Sequence, residues 1–495
     1  MNWPSLLYCI DAKTNYYQCE NWADLFKDLN LHILFESMAQ NNPYIMEVLS
    51  KVFTYICVDR ETIYYRQSVL KDCIAHREIL NELYNTVTNA LKTEQNHYWL
   101  VLSHSPYSAA HGTAGVLNEM LEYLVTLRNI SAKAYDLFES QGFKALFAAV
   151  MRDCNPQYIK SLQKLLRAVT NDKNVVIAAK LGPGNQGINY TAVYIPTRDT
   201  NMLYHVLNTL KHAHFTFTLA ERDEAGARIL RDIEDTAYSK AASTLSMIKQ
   251  EIYKSLEQLR QELAFYLGCT NLYDVLQKLG VYVCFPSISG ATSYYHICGV
   301  YDPCLAIANN GRVVGNDLDL HTAKVVLITG RNGGGKTTFL RSIGVAQLMM
   351  QIGMFVCARQ FEGPIWTGIF THFPRLEDTQ LKHGRLSKEL ASIRAIVEKV
   401  RGPSLFLLNE SFQSTNDREG SAIAAQLIRA LHDVGMGVVY VTFLSELLSE
   451  AIKSSNLFYV MNTMIDEYEN PTYTIKPVEK LYFQNASHIF NRVFG

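Results

Sequence analysis

The chain has 495 residues, 48% of them hydrophobic and 19% charged, with a formal net charge of -1. That length exceeds one ordinary core and points to two to four domains, and no long Ser/Pro/Gly or single-charge block suggests an extended disordered tail. Near-neutrality excludes a whole-protein electrostatic case for nucleic acid, so any such contact must come from a local basic surface. The ten cysteines are scattered without a C-x-x-C pair, which favours reduced, buried thiols over a zinc or disulfide framework. The N-terminus lacks a signal-peptide pattern, and the most apolar helical stretch, around 345–358, is broken by Gln347, Gln351 and Gly353. A cytoplasmic protein with no membrane partner is expected.

Residues 1–97 carry apolar side chains at helical spacing, as in Leu25, Leu29 and Leu34 and again in Ile45, Val48, Leu49 and Val52. The same period runs on from 98 to about 175 through Val116, Leu117, Met120, Leu121, Leu124 and Leu127, so helices are predicted throughout. Between 174 and 217 the pattern changes to short strands at 175–177, 190–195 and 215–219, around a turn-rich 182–187. The longest regular feature follows, from Ile229 through Ala237, Leu245, Ile252 and Leu259 to Leu263 without Pro or Gly. At 1.5 Å per residue it is roughly 50 Å of helix, too long for a simple globular core, and reads as a lever or coiled-coil arm. From Val325 onward strand, glycine loop and helix alternate with strands at 404–408 and 437–441, the pattern of an α/β domain with a parallel sheet.

The chemistry is expected in that domain. Val325, Val326, Leu327, Ile328 and Thr329 form a β-branched apolar strand that runs into Gly330, Arg331, Asn332, Gly333, Gly334, Gly335, Lys336 and Thr337, with a helix predicted from Thr338. This is G-x-x-x-x-G-K-[ST] in strand–loop–helix context. Glycines let successive backbone N–H groups turn toward a β-phosphate, and the new helix adds its positive N-terminal end. Lys336 would reach the β and γ oxygens, and the Thr337 hydroxyl would ligate Mg²⁺. A P-loop ATPase also needs acidic groups at the end of a neighbouring buried strand. The stretch 404–410 supplies Glu410 as candidate general base, but Asn409 stands at the metal-side position. Its amide oxygen can hold a metal-bound water without bringing charge, so slow hydrolysis is expected.

Five segments together resemble the ATPase domain of the MutS family: T-G-R-N-G-G-G-K-T-T-F-L-R at 329–341, Q-I-G-M-F-V-C-A at 351–358, I-F-T at 369–371, L-N-E-S-F-Q-S-T-N-D-R-E-G at 408–420 and V-T-F-L-S-E-L at 441–447. Upstream, D-L-N-L at 28–31 and R-E-T-I-Y-Y-R-Q-S-V-L-K-D at 60–72 resemble the start of that family's helical core. The resemblance implies an α-helical core, lever and clamp region followed by an α/β P-loop ATPase domain of the ABC type. Its segments would be 1–97 (helical core), 98–220 (lever and clamp helices with a small β insertion), 221–293 (return lever helix and core) and 294–495 (ATPase domain with a short C-terminal segment). It implies ATP and Mg²⁺ as cofactors, with Gly330, Asn332, Gly333, Gly334, Gly335, Lys336, Thr337 and Thr338 around the nucleotide, Asn332 stiffening the loop and Asp378 near the metal. It further implies a homodimer in which Thr415, Asp417 and Ser387 face the partner's nucleotide. The sequence departs from the family pattern at Asn409, where the family has Asp, at Phe443, where it has a switch histidine, and at the G-R-S-T segment, matched only loosely around Ser387. The similarity begins at the helical core, and Phe-x-Glu occurs at none of the 22 phenylalanines, so mismatch-binding and connector domains are not expected.

Residues 151–214 hold eight basic and three acidic side chains. Lys160, Lys164, Arg167, Lys173 and Lys180 among them are candidates for backbone contacts to duplex or branched DNA, at the place where the resemblance puts the clamp. The expected function is ATP-dependent DNA clamping by dimer closure, without mismatch specificity and with weak ATPase activity. The alternative is an ATP-binding switch or scaffold with negligible hydrolysis that recruits protein partners.

Overall fold

The computed structural model describes residues 1–8, 16–96, 105–170, 175–194, 220, 222–290, 294–322, 325–373 and 384–478. The chain divides into two units, Met1–Leu6 with His76–Leu263 and Leu7–Ala75 with Ala264–Gly495. The second unit opens with strands β1 (Tyr16–Gln18) and β2 (Tyr55–Cys57), paired antiparallel around the helices Trp22–Asp28, Leu31–Ala39 and Pro43–Phe53. Pro43 in the first turn, and Asn42 accepting from Tyr44 N at 3.0 Å, start the third helix. Helix Arg60–Ala75 follows and carries Arg66, fully buried, which donates to Leu7 O at 2.8 Å and Ile352 O at 3.1 Å. Ile352 ends the helix after the glycine loop, so this guanidinium satisfies a carbonyl that has no partner within its helix and sits at the favourable end of its dipole.

The first unit is helical. Pro106–Ala134 packs against Arg77–Asn96, Gln141–Asp153 and Pro156–Thr170, burying Leu117, Met120, Leu121, Leu124 and Leu127 on one stripe as their spacing requires. The helix starts are set by Ser105 and Ser140, whose hydroxyls accept from Ser108 N and Phe143 N. The β insertion is a hairpin, β3 (Val175–Leu181) with β4 (Gly187–Tyr194), turned through Pro183–Asn185. The strand expected at 215–219 lies outside the described residues. The long helix runs from Glu224 to Lys278, 55 residues, further at both ends than its apolar spacing indicated.

Two sheets build the rest of the second unit. Strands β5 (Ser287–Ile288), β6 (Tyr295–Val300) and β7 (Asn316–Leu320) join β9 (Gln360–Gly363) in the order β5-β9-β6-β7. The six-stranded sheet runs β10-β11-β12-β8-β13-β14, with β8 (Val325–Thr329), β10 (Gly368–His372), β11 (Ser404–Asn409), β12 (Gly437–Val441) and β13 (Phe458–Ile465) mutually parallel and β14 (Pro471–Pro477) antiparallel to β13. Every residue of β8, β10 and β11 is buried, and the interiors of β8 and β11 accordingly read as apolar runs rather than alternating ones. The helix after β8 begins at Lys336, two residues before the position expected, and is itself almost wholly buried. The glutamines that interrupt its apolar run are satisfied inside the protein. Gln347 donates to Gln351 and to Pro364 O, and Gln351 donates to Trp366 O and Cys57 O, at 2.7 to 3.1 Å. A buried amide pair so bonded fixes register without a desolvation penalty. No helix among the described residues is long and apolar enough to cross a membrane.

Candidate functional site

The carboxyl ends of β8 and β11 open on one cavity, as expected for an open parallel α/β sheet. Its volume is about 930 Å³, and its walls include Asn332, Gly333, Gly335, Lys336, Thr337, Thr338 and Glu410. The loop geometry depends on glycine. Gly330 has φ +119°, and a Cβ there would lie 2.1 Å from Thr463 Oγ1 on β13; Gly335 has φ +92°. Thr463 Oγ1 accepts from Arg331 N at 3.0 Å, so the loop is fastened to β13 on one side and open to the cavity on the other.

Lys336 is only 5% exposed. Its Nζ donates to Gly330 O and Arg331 O, both at 3.0 Å, and lies 4.0 Å from the centre of the Phe443 ring. Burial lowers this amine to about 8, against an opposing pull from the Glu410 carboxylate. The Phe443 face supplies a cation–π contact to this amine. Thr337 Oγ1 donates to Asn409 Oδ1 at 3.0 Å, so the hydroxyl and the amide meet directly. Glu410 is half-buried, holds a left-handed φ of +51°, and is anchored by its N–H to Val441 O at 2.8 Å. That backbone excursion, repeated at Phe412 with φ +64°, turns the chain sharply off the end of β11. Beyond it, Phe412 N donates to Glu389 Oε2 at 2.8 Å, and burial raises the Glu389 carboxyl, opposed by that bond. Ser411 Oγ lies 2.7 Å from His372 Nδ1, while its carbonyl accepts from the Tyr440 hydroxyl. The donor set fits a magnesium triphosphate: backbone amides in a left-handed loop, one buried amine, a hydroxyl with an amide beside it and one carboxylate in the same cavity.

Other sequence candidates stand elsewhere. Asn332 is exposed, and its side chain makes no hydrogen bond among the described residues. Thr415 Oγ1 donates to Glu419 Oε2 at 2.7 Å, and the Asp417 carboxylate accepts from Ser445 N at 2.8 Å and Ser445 Oγ at 2.6 Å, capping the helix Ser445–Lys453. Ser387 is exposed in the first turn of Arg385–Val397. Asp378 lies outside the described residues. Sequence reasoning missed Tyr301, Leu305, Arg312, Val314, Asn316 and Tyr473, which line the same cavity. They belong to no phosphate motif; the pairing of β13 with β14 and the contact of β14 with β7 bring Tyr473 and Asn316 to the loop. In the other unit, Lys160, Lys164 and Arg167 share the exposed face of Pro156–Thr170, whose opposite face buries Ile159, Leu162, Leu166 and Val169. Lys180 is exposed on β3, and Lys173 lies outside the described residues.

A parallel sheet whose interior strand passes through G-x-x-x-x-G-K-T into a helix defines a P-loop nucleotide-binding fold. Comparisons with known proteins narrow this class. The family model described as MutS2 N-terminal domain matches residues 58–279, and that of MutS domain V matches 326–488. The DNA mismatch repair protein MutS of Thermus thermophilus is 27% identical over 249 residues, which is 50% of this chain and 30% of that protein. The DNA mismatch repair protein MutS of Halalkalibacterium halodurans is 28% identical over 199 residues, 38% of this chain and 23% of that one. Endonuclease MutS2 of Listeria welshimeri is 28% identical over 244 residues, 46% and 30% of the respective chains. The chain belongs to the MutS family. Its matches span less than a third of the length of these relatives.

Proposed function

We propose that this protein binds Mg·ATP at the 330–337 loop and uses it to close two ATPase domains of a homodimer, clamping DNA through backbone contacts without reading mismatches. The observation that carries the reading is the convergence of Lys336, Thr337 and Glu410 on one cavity at the end of a parallel sheet. In this reading the amine and the loop amides hold the phosphates. Thr337 would ligate the magnesium, Asn409 would hold one of its waters and Glu410 would orient the attacking water. The MutS family membership supports a DNA partner, a dimer and a cytoplasmic setting. It also supports the division into core (1–97), lever and clamp (98–220), return lever (221–293) and ATPase (294–495). Lys160, Lys164, Arg167, Lys173 and Lys180 are the proposed phosphate contacts, and Thr415, Asp417 and Ser387 the proposed contacts to the partner's nucleotide.

A second reading, an ATP-held switch that recruits protein partners, is favoured by two observations. The metal-side partner of Thr337 is a neutral amide, and the ring beside Lys336 cannot titrate. Single-turnover phosphate release separates the two: slow release that requires Glu410 supports hydrolysis, and none over hours supports the switch. Absence of ATP binding in the presence of Mg²⁺ sinks both. Gel shifts with duplex, junction and single-stranded DNA, with and without ATP and across a salt range, test the clamp.

A further inference from the structure

The strands on either side of β11 each place one polar side chain at the same level of the sheet. Leu408, near the end of β11, pairs with His372 of β10 on one side and with Tyr440 of β12 on the other. In register across parallel strands, the three side chains belong to one face. Leu408 and Tyr440 join an apolar core there with Phe370, Phe406, Ile428 and Leu447. Tyr440 is fully buried and His372 is 8% exposed, so each polar group costs stability unless it is hydrogen-bonded.

Both groups meet the residue that follows Glu410. Ser411, itself buried, has its Oγ 2.7 Å from His372 Nδ1, and its carbonyl accepts from the Tyr440 hydroxyl. Burial pushes that hydroxyl's pKa up, so it remains a donor. Ser411 reaches back to this row because its two neighbours, Glu410 and Phe412, hold left-handed φ of +51° and +64°. Side chains of this kind stay in such a conformation only where their surroundings hold them. Val441 O takes the Glu410 N–H and Glu389 Oε2 takes the Phe412 N–H, both at 2.8 Å, so the ends of the turn are fixed by β12 and by the helix Arg385–Val397. Its middle is fixed by His372 and Tyr440. Glu410 then lines the cavity with Lys336 and Thr337, while the next residue is pinned in the core. A carboxylate is aimed no better than the turn that carries it, and a misplacement of about 1 Å costs up to about 10² in rate.

We propose that His372 and Tyr440 are positioning residues for Glu410: by holding the Oγ and the carbonyl of Ser411 they fix the turn that aims the Glu410 carboxylate into the cavity, and they set the rate of hydrolysis without contributing to nucleotide affinity. This rests on the reading in which Glu410 orients the attacking water. Neither side chain touches the nucleotide in this arrangement; both act through the backbone of one serine.

Single-turnover phosphate release and equilibrium ATP titration, both on the full chain with Mg²⁺, form the test. His372→Ala and Tyr440→Phe are each expected to slow release about tenfold, the worth of one hydrogen bond, with ATP affinity unchanged. His372→Asn, whose amide can stand where Nδ1 stands, is expected to recover most of the rate. In a Glu410→Gln background neither substitution is expected to slow release further, since the group they aim is gone. Wild-type rates in both His372→Ala and Tyr440→Phe overturn the proposal, and a wild-type rate in one removes that residue from it. Weaker ATP binding in step with slower release overturns it as well, because the pair would then hold the site together rather than aim Glu410. A full further loss in the Glu410→Gln background does the same, and a His372→Asn variant as slow as His372→Ala overturns the hydrogen bond as the cause. If Glu410→Gln slows release while the His372 and Tyr440 variants do not, the hydrolysis reading stands and only this inference falls. If wild type releases no phosphate over hours, that reading falls and takes this inference with it.

Discussion

Lys336 and the helix Pro156–Thr170 use positive charge in opposite ways. Lys336 is nearly buried, bonded to two loop carbonyls and covered by the Phe443 ring, so its position is set to within a hydrogen bond. Lys160, Lys164 and Arg167 are exposed on one helix face, above an apolar face that does the packing. The first arrangement is a geometric site, where one substitution removes the function because the surroundings cannot re-form around it. The second is additive, each cation contributing a small, salt-screened share.

That contrast can be broken by measurement. The largest effect is expected at Glu410. Replacement by Gln should lower single-turnover hydrolysis by about 10² to 10⁴, the usual worth of a general base, while ATP binding persists. Loss of binding instead would make Glu410 a structural residue of the kink after β11. Lys336→Ala should weaken ATP about a hundredfold in equilibrium titration, from two charge-assisted hydrogen bonds lost. Asn409→Asp should move the other way, raising Mg²⁺-dependent turnover about tenfold by returning a charge to the metal side; an unchanged rate would favour the switch reading.

The pH dependence sharpens the same comparison. Burial lowers the Lys336 amine to about 8, so it is charged below that pH and neutral above it. ATP affinity should therefore be flat below about pH 8 and fall above it, by up to about tenfold per unit. Stability runs with the opposite sign. Between about 8 and the ordinary lysine value the unfolded chain binds the proton and the folded one does not, so rising pH relieves the cost of the buried charge. ATP titrations and thermal melts from pH 7 to 10 check both directions, and identical profiles in Lys336→Met would assign the effect to another group. Smallest of all, Lys160→Ala, Lys164→Ala or Arg167→Ala should each weaken duplex binding a few-fold and reduce the salt slope by about one, with effects that add. A single substitution that abolishes binding would turn this face from an additive surface into a site.

Local chemistry was legible wherever one segment carries its own reason. The β8 run and the glycine spacing place the loop, and the apolar run ending at Asn409 and Glu410 places β11, because a doubly buried strand and a left-handed turn each demand particular residues in sequence. The helices of 106–170 were readable for the same reason, their 3.6-residue stripe being the face that packs. The helix Glu224–Lys278 is longer than its apolar spacing indicates, because its first turn carries exposed charge and residues 262–272 are buried all round, and neither shows an amphipathic period.

What sequence by itself determined is the phosphate loop, the strand that carries Asn409 and Glu410, and the helical character of the first half. Only tertiary structure decided that residues 7–75 share a unit with the sheet while the helices from Arg77 to Thr170 do not, since periodicity shows that a face is buried and not against what. It also decided that Phe443 covers Lys336 and that a bulge in β14 turns Tyr473 toward Gly335. Those contacts join residues more than a hundred positions apart in the chain, and they exist because β8 lies between β12 and β13, with β14 beyond β13, an order set by how the whole sheet packs.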